Sequence, residues 1–321
     1  MTKTSLHRLS PSAYRALLSS STPKERVVPI DATWYMPNNP KNAKQEFLKE
    51  ARLKNAAFFD LDAISLPNSP YPHMLPTYSI FNKAVQDLGI EKNDKLVVYD
   101  KSGIFSSPRA AWTFSLFGHP KVYLLDNYQY YQQFRYPVQQ TPVSSFATPL
   151  KSTSDTTGTY APITEAEFNQ NYRDQVIEYE ELLELVKNDQ LSKDYYTFDA
   201  RPNDRFTGKA PEPRPGLSSG HIPSALSLPF SKVINATNKT YNVQFELLKI
   251  FNEDFGLDLS NTNFLDGKKG IIVMCGSGVT AVILKVAIQN VIGLDVPIRV
   301  YDGSWTEWAS RAPKELIHKD F

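Results

Sequence analysis

Short apolar runs that close on a polar side chain alternate along this chain with stretches of helical period. The first half contains Val28-Pro29-Ile30-Asp31-Ala32, then Leu96-Val97-Val98-Tyr99-Asp100, then Val122-Tyr123-Leu124-Leu125-Asp126. The second half contains Thr197-Phe198-Asp199-Ala200-Arg201, then Ile272-Val273-Met274-Cys275, then Ile298-Arg299-Val300-Tyr301-Asp302. Runs of this kind, with no in/out alternation, predict strands buried on both faces, as in parallel sheets covered by helices. Helical stretches lie between the last two runs of each half, around Trp112 to Phe117 and from Ala281 to Val291. The expected fold class is therefore α/β: two tandem halves, each a parallel sheet flanked by helices. In such sheets functional side chains sit in loops at the carboxyl ends of strands.

The pattern breaks between the halves. Residues Pro137 to Pro162 are rich in Thr, Ser, Pro and Gln, and Gln139 to Pro149 carries no charge, which predicts an extended linker. Thr164-Glu165-Ala166-Glu167 has the spacing of a capping box and is expected to open the second domain. The expected domains are thus 1–136, a linker 137–163, and 164–321. Glu178 to Lys187 predicts a helix whose acidic run is a solvated face. At the N-terminus two readings stand. Residues Met1 to Lys24 carry Lys3, Arg8, Arg15 and Lys24 with no acid, as mitochondrial presequences do. Alternatively Ser10-Pro11-Ser12-Ala13-Tyr14 starts the first helix of the fold, with Tyr14, Leu17 and Leu18 on one face.

Composition narrows the function classes. With 35 basic and 34 acidic residues the net charge is +1, so no single-sign field points to direct nucleic-acid binding. No apolar run is long enough to span a membrane. One cysteine forbids an internal disulfide and a cysteine zinc site, and the five scattered histidines offer no metal-ligand spacing. No metal or organic cofactor is expected, and a reducing compartment fits, cytoplasmic and with mitochondria as a second location. Asn235-Ala236-Thr237 and Asn238-Lys239-Thr240 match glycosylation sequons only by chance in that setting.

That single cysteine, Cys275, stands where an apolar strand ends. Gly276-Ser277-Gly278 and a helical stretch from Thr280 follow it. A tight strand-to-helix loop of this kind can aim backbone N–H groups inward, and the helix dipole adds partial positive charge; both favour a thiolate nucleophile. A buried cysteine packing as a small hydrophobe is the plainer reading. Aligning the two halves places Asp100 opposite Cys275, so only the second half carries a nucleophile and the first is catalytically silent.

These residues resemble the tandem rhodanese family of sulfurtransferases over nearly the whole chain. The loop Cys275-Gly276-Ser277-Gly278-Val279-Thr280 is similar to that of 3-mercaptopyruvate sulfurtransferases; thiosulfate-preferring relatives carry basic residues at the positions of Gly276 and Ser277. Arg205-Phe206-Thr207-Gly208, Pro211-Glu212-Pro213-Arg214, Gly220-His221-Ile222-Pro223 and Ser69-Pro70-Tyr71-Pro72-His73-Met74-Leu75-Pro76 match as well. The sequence is most similar to fungal members, some of which serve a sulfur relay for tRNA thiolation. The resemblance implies two homologous domains with the active site at their interface. It implies Cys275 as the sulfur carrier and Arg205 and Arg214 as the groups that hold a 2-oxo acid. Gly276 to Thr280, including Gly278 and Val279, would cradle the persulfide. Asp62, His73 and Ser277 would match a polar triad of the mercaptopyruvate-type members. The implied partners are a small-molecule sulfur donor and an external thiol acceptor such as thioredoxin. A cysteine desulfurase and the activating protein of a ubiquitin-like sulfur carrier are implied too. Two departures stand out: Lys209 replaces a small or hydroxyl residue, and Lys54-Asn55-Ala56-Ala57 replaces a Gly-His-Ile-Pro type turn.

The chemistry fits this assignment, since arginine forks match a carboxylate and its adjacent carbonyl. Each residue also has a plainer role. Arg205 and Arg214 could be exposed loop arginines, Arg201 a structural partner of Asp199, and His221 a structural loop residue. His73 could serve packing, and Ser277 could be a helix N-cap. Asp302-Gly303-Ser304-Trp305 reads as a turn into a helix, with Trp305 free to line a pocket. A cysteine phosphatase would need arginine at the sixth position after Cys275, where Ala281 stands. A persulfide relay protein loaded by a desulfurase, and a thiosulfate sulfurtransferase, remain as alternatives. With no second cysteine, the sulfur must leave on an external nucleophile.

Overall fold

The computed structural model describes residues 5–22, 25–152, 159–261 and 263–320. The first half forms a sheet from β1 (Ser5–Leu9), β2 (Val27–Asp31), β3 (Ala57–Phe58), β4 (Lys95–Tyr99) and β5 (Lys121–Leu125). The second forms one from β6 (Val176–Ile177), β7 (Tyr195–Asp199), β8 (Leu226–Ser227), β9 (Gly270–Met274) and β10 (Ile298–Tyr301). The orders are β1-β5-β4-β2-β3 and β6-β10-β9-β7-β8, so the sequence repeat is a repeat of topology. Every pairing within them is parallel. The six runs read from the sequence are the three inner strands of each sheet, β5-β4-β2 and β10-β9-β7. The two-residue strands β3, β6 and β8 are too short to carry a period.

The middle strands are the most completely covered. Leu96 to Tyr99 in β4 and Ile272 to Met274 in β9 are fully buried. Helices cover these sheets. Ser107–Leu116 follows β4 and is buried along its whole length. Ala281–Val286 follows β9 and runs on as a π-helical turn, Ala287–Ile292, that ends at Gly293. The first sheet's core gathers Tyr14, Phe47, Phe58, Val97, Tyr99, Leu125, Tyr128 and Tyr131. One core of the second gathers Leu182, Ile272, Met274, Tyr301, Trp305 and Trp308. Each such side chain contributes roughly 1.5–3 kcal/mol of transfer free energy.

Residues 5–22 of the N-terminal segment are part of this fold. Ser10 Oγ caps the helix Pro11–Ser20 by accepting from the Ala13 N–H at 3.1 Å, with proline in its first turn. Tyr14 is buried and Leu17 packs on the first core, but Leu18 is exposed, so the apolar stripe is narrower than expected. Arg8 lies in β1 and pairs with Asp126 at 2.7 Å. Lys3 and Lys24, which count toward the presequence reading, lie outside the described residues.

The segment after Pro137 is not a free spacer. Residues 137–150 form no helix or named strand, yet they are strapped onto the first sheet's unit. Gln139 and Arg52 exchange backbone hydrogen bonds, Val143 N–H donates to Leu48, and the Phe146 carbonyl accepts from Phe58 N–H at 2.8 Å. Buried Arg52 adds a bond to the Thr141 carbonyl at 2.7 Å. Its lack of charge suits this packing: an uncharged run can lie on apolar surface without desolvating ions. Residues 153–158 of the linker lie outside the described residues.

By contacts the chain divides into two compact units. One comprises Met1–Asn68, Leu75–Asn171 and Thr237–Thr240; the other comprises Ser69–Met74, Tyr172–Ala236 and Tyr241–Phe321. The capping box closes as expected, with Thr164 N–H donating to Glu167 at 2.8 Å. It opens the helix Glu165–Gln175, whose residues up to Asn171 belong to the first unit. The predicted Glu/Leu helix is Tyr179–Lys187, with Leu182 and Val186 buried and Glu180, Glu181 and Glu184 exposed. Among the described residues no helix is long and apolar enough to cross a membrane.

Candidate active site

β9 ends at Met274, and the chain turns through Cys275 to Thr280 into the helix at Ala281. Cys275 is 2% exposed. Its carbonyl accepts from Trp305 N–H at 2.9 Å, and the Gly276 carbonyl accepts from Thr306 N–H at 2.9 Å and from the Thr306 hydroxyl at 2.6 Å. A trans peptide sets its N–H opposite its C=O. Anchoring these two carbonyls on the helix Ser304–Arg311 therefore turns the N–H groups of Gly276 and Ser277 the other way. Among the described residues, the N–H groups of Gly276, Ser277, Val279 and Thr280 donate to no group of the chain. Gly278 has φ +74°, a left-handed conformation that suits glycine and lets the loop close on itself. Cys275 N–H is held separately by Ser304 Oγ at 3.1 Å, and that hydroxyl donates to the Tyr301 carbonyl at 2.7 Å.

Ser277 is not the helix cap; that position is Thr280. Ser277 Oγ instead lies 3.1 Å from His73 Nδ1, with both residues 5% exposed. His73 comes from the first half of the sequence, but its segment, Ser69–Met74, belongs to the second compact unit. It holds φ +63°, a conformation that costs a non-glycine residue about 1 kcal/mol and persists only where surroundings impose it. Asp62, expected with this pair, lies in the first unit, exposed, where its Oδ1 accepts from Trp34 Nε1 at 3.0 Å.

The arginines converge on the cysteine loop. A Cβ placed on Gly276 would stand 3.3 Å from Arg205 Nη2 and 3.9 Å from Arg214 Nη1. Both arginines are half-buried. Arg201 has the structural role weighed for it: it is 1% exposed and donates through Nε and Nη2 to Asp199, at 2.9 Å and 2.6 Å. Its guanidinium lies 4.1 Å from the ring centre of Trp305. Trp305 is fully buried, donating to the Ser218 carbonyl, and so backs this arginine instead of lining open space. His221 is structural too, stacked on Phe206 at 4.2 Å, with Nδ1 3.1 Å from the Phe206 carbonyl. Gly220 beside it has φ +132°, and a Cβ there would collide with the His318 carbonyl. Glu212 was quoted within a motif but given no role by sequence reasoning. It joins Arg201, at 2.8 Å, to Arg205. Its proline-flanked loop reads as surface, and nothing local announces that the carboxylate turns inward.

The matching loop of the first unit is filled by its own chain. Asp100 follows β4 and is fully buried. Its carboxylate accepts from the N–H groups of Ser102, Phe105, Ser106 and Ser107 and from the Ser107 hydroxyl, at 2.6–3.1 Å. Burial pushes this carboxyl above the usual range, while the Ser107 hydroxyl and the loop N–H groups pull it down. Such a nest of N–H groups is an anion site. The counterpart loop after Cys275 holds backbone donors at Gly276 and Ser277 that no acceptor among the described residues takes.

Comparison with known proteins agrees with this geometry. A model of the rhodanese-like domain matches residues 178–311. The chain is 42% identical to the thiosulfate sulfurtransferase TUM1 of Saccharomyces cerevisiae over 96% of each chain. It is 38% identical to a mitochondrial thiosulfate/3-mercaptopyruvate sulfurtransferase of Arabidopsis thaliana, over 88% of this chain and 71% of that one. The crystal structure of yeast Tum1 superposes with a TM-score of 0.84 at 40% identity, covering 98% of both chains. The strand-end cysteine, its donor-lined loop and the duplicated parallel sheets thus have one account: the chain belongs to the rhodanese family and is a sulfurtransferase of the rhodanese/3-mercaptopyruvate type.

Proposed function

We propose that the chain transfers sulfur from 3-mercaptopyruvate to an external thiol through a persulfide on Cys275, releasing pyruvate. The observation that carries this reading is the approach of Arg205 and Arg214 to Gly276, beside Cys275, in a loop that has no cation of its own. Two guanidiniums suit a carboxylate and the neighbouring carbonyl oxygen of a 2-oxo acid. The Cys275 thiolate attacks the substrate sulfur. The carbon–sulfur bond breaks, and its electron pair moves into the carbonyl to give the pyruvate enolate, whose charge the arginines stabilise. The enolate takes up a proton, with Ser277 and His73 as the hydroxyl–imidazole pair nearest the loop. The outer sulfur of the persulfide rests among the N–H groups of Gly276 to Thr280. An acceptor thiolate then attacks that sulfur, and Cys275 leaves as thiolate, which makes the cycle ping-pong. Asp62 stays a candidate through the family pattern alone.

The acceptor in this reading is an external thiol such as thioredoxin, or a protein of a tRNA-thiolation relay fed through a cysteine desulfurase and a carrier-activating protein. The chain works in the cytoplasm, with mitochondria as a second compartment; the name of the plant relative supports the latter. A thiosulfate donor is the second reading, and the name of the yeast relative favours it. The deciding measurement is kcat/KM for the two donors with one thiol acceptor, in the unaltered chain and in Arg205→Ala and Arg214→Ala. The expected result is a loss of roughly 10- to 100-fold with mercaptopyruvate in each variant, from a charge-assisted pair worth about 1.5–3 kcal/mol, and a smaller loss with thiosulfate. Equal losses for both donors would remove the carboxylate-clamp assignment.

A further inference from the structure

We infer that Glu212 is a positioning residue for sulfur-donor binding: its buried carboxylate sets the guanidinium of Arg205 against the cysteine loop. This role rests on the reading of Arg205 as a group that holds the substrate carboxylate. The Glu212 side chain is 3% exposed although it lies in the loop Pro211-Glu212-Pro213. An isolated carboxylate buried this deeply is costly, and it persists because it is paired. Oε1 accepts from Arg201 Nη1 at 2.8 Å and from Arg205 Nε at 3.2 Å. Oε2 accepts from Arg205 Nε at 3.2 Å and from Arg205 Nη2.

Three consequences follow. First, Glu212 takes the Nε–Nη2 edge of Arg205 in a two-point fork, which fixes the plane of the guanidinium. Nη1 and the second hydrogen of Nη2 are left for a ligand, and Nη2 is the atom nearest Gly276. Second, Glu212 sits between two arginines that would otherwise repel each other, and together with Asp199 it balances their charge. Arg201 is itself pinned by Asp199 and by the face of Trp305. Third, the Trp305 N–H holds the carbonyl of Cys275. The donor-binding arginine and the sulfur-carrying loop are therefore referenced to one rigid stack: Glu212, Arg201, Trp305, Cys275. A substrate that must present its sulfur to the thiolate while its carboxylate is held needs that fixed spacing.

The test is steady-state kinetics with 3-mercaptopyruvate on Glu212→Gln, Glu212→Asp, Arg205→Ala and the double variant Arg205→Ala/Glu212→Gln, each checked for cooperative urea unfolding. Glu212→Gln is expected to lower kcat/KM about 10- to 100-fold, through both a raised KM and a lowered kcat, because a neutral amide cannot hold both guanidiniums. Glu212→Asp keeps the charge and should recover part of that loss. In the Arg205→Ala background the second change should cost less than about threefold further, since the group it positions is gone. A Glu212→Gln protein that unfolds cooperatively and keeps its kcat/KM overturns the role. So does a full additional loss in the double variant. If Glu212→Gln folds poorly, Glu212→Asp decides: an unchanged kcat/KM there also overturns it. Should Arg205→Ala itself leave kcat/KM unchanged, the substrate reading of Arg205 fails and takes this role with it. A loss in Arg205→Ala with none in the Glu212 variants removes the positioning role alone.

Discussion

Asp100 and Cys275 hold the same place in two sheets of the same order. Each follows the middle strand and precedes a buried helix, and each opens a strand-to-helix loop that carries backbone N–H donors. The first unit supplies its own anion to that nest. Four N–H groups and a hydroxyl converge on the Asp100 carboxylate. In the second unit the carbonyls of Cys275 and Gly276 are taken by Trp305 and Thr306 instead, and the N–H groups of Gly276 and Ser277 face away from them. One architecture thus holds a structural plug in one copy and, in the other, a thiol beside loop N–H groups that we propose cradle the transferred sulfur, and the difference lies in which side chain stands at the strand end. A carboxylate there satisfies the donors permanently. A thiol is too short and too weak an acceptor to do so, which in the proposed mechanism leaves the donors for an added sulfur.

The comparison can be broken most directly at the nucleophile. Cys275→Ser should lower sulfur transfer at least about a thousandfold, with pyruvate release as the readout, because a serine hydroxyl is not ionised near neutral pH. Its urea midpoint should stay close to that of the unaltered chain; retained turnover would end the persulfide mechanism. The stability contrast comes next. Asp100→Ala should cost about 3–5 kcal/mol in urea unfolding, since it strands buried donors, whereas Cys275→Ala should cost only about 1 kcal/mol. Equal costs would mean that the two loops are not filled in the different ways described.

A third difference lies one turn into the helices that follow. The fifth residue of the first is Ala111, and that of the second is Lys285, 4% exposed, with Nζ donating to the Ile298 carbonyl at 2.7 Å. Burial pushes Lys285 down from 10.5 to about 7. Below that value both folded and unfolded states carry the proton, and this lysine adds no pH dependence. Between about 7 and 10.5 the unfolded state binds more protons, so stability rises with pH, by up to about 1.4 kcal/mol per unit. Lys285→Met should flatten that alkaline rise in urea unfolding followed from pH 7 to 10. An unchanged slope would show that the rise has another source. The smallest expected effect is at Ser304, whose hydroxyl ties Cys275 N–H to the Tyr301 carbonyl. Ser304→Ala should cost about 1 kcal/mol and slow sulfur transfer only severalfold; loss of all turnover would make this bond part of the chemistry.

The polar residues that close the apolar runs marked the strand ends well. Strands buried on both faces leave an unbroken apolar signature, and the middle strands β4 and β9 carry the clearest ones. The reach of the strap after Pro137 was not legible, because a Thr-, Ser-, Pro- and Gln-rich run reads alike whether solvated or laid along a neighbour. Nor was Glu212 legible as a buried group. Proline-flanked glutamate signals surface, and only the two guanidiniums brought around it make burial affordable.

By itself the sequence determined the repeat, the α/β class and the place of the lone thiol. Each of these is written in local patterns: hydrophobic period, strand-end residues and a Gly-Ser-Gly loop. The tertiary structure alone decided that His73 meets Ser277 across more than half the chain, that Ser277 is not a helix cap, and that Arg201, Arg205 and Glu212 form one ion-paired cluster beside Cys275. Pairings between distant segments depend on how strands and loops close in space, and no local propensity encodes that closure.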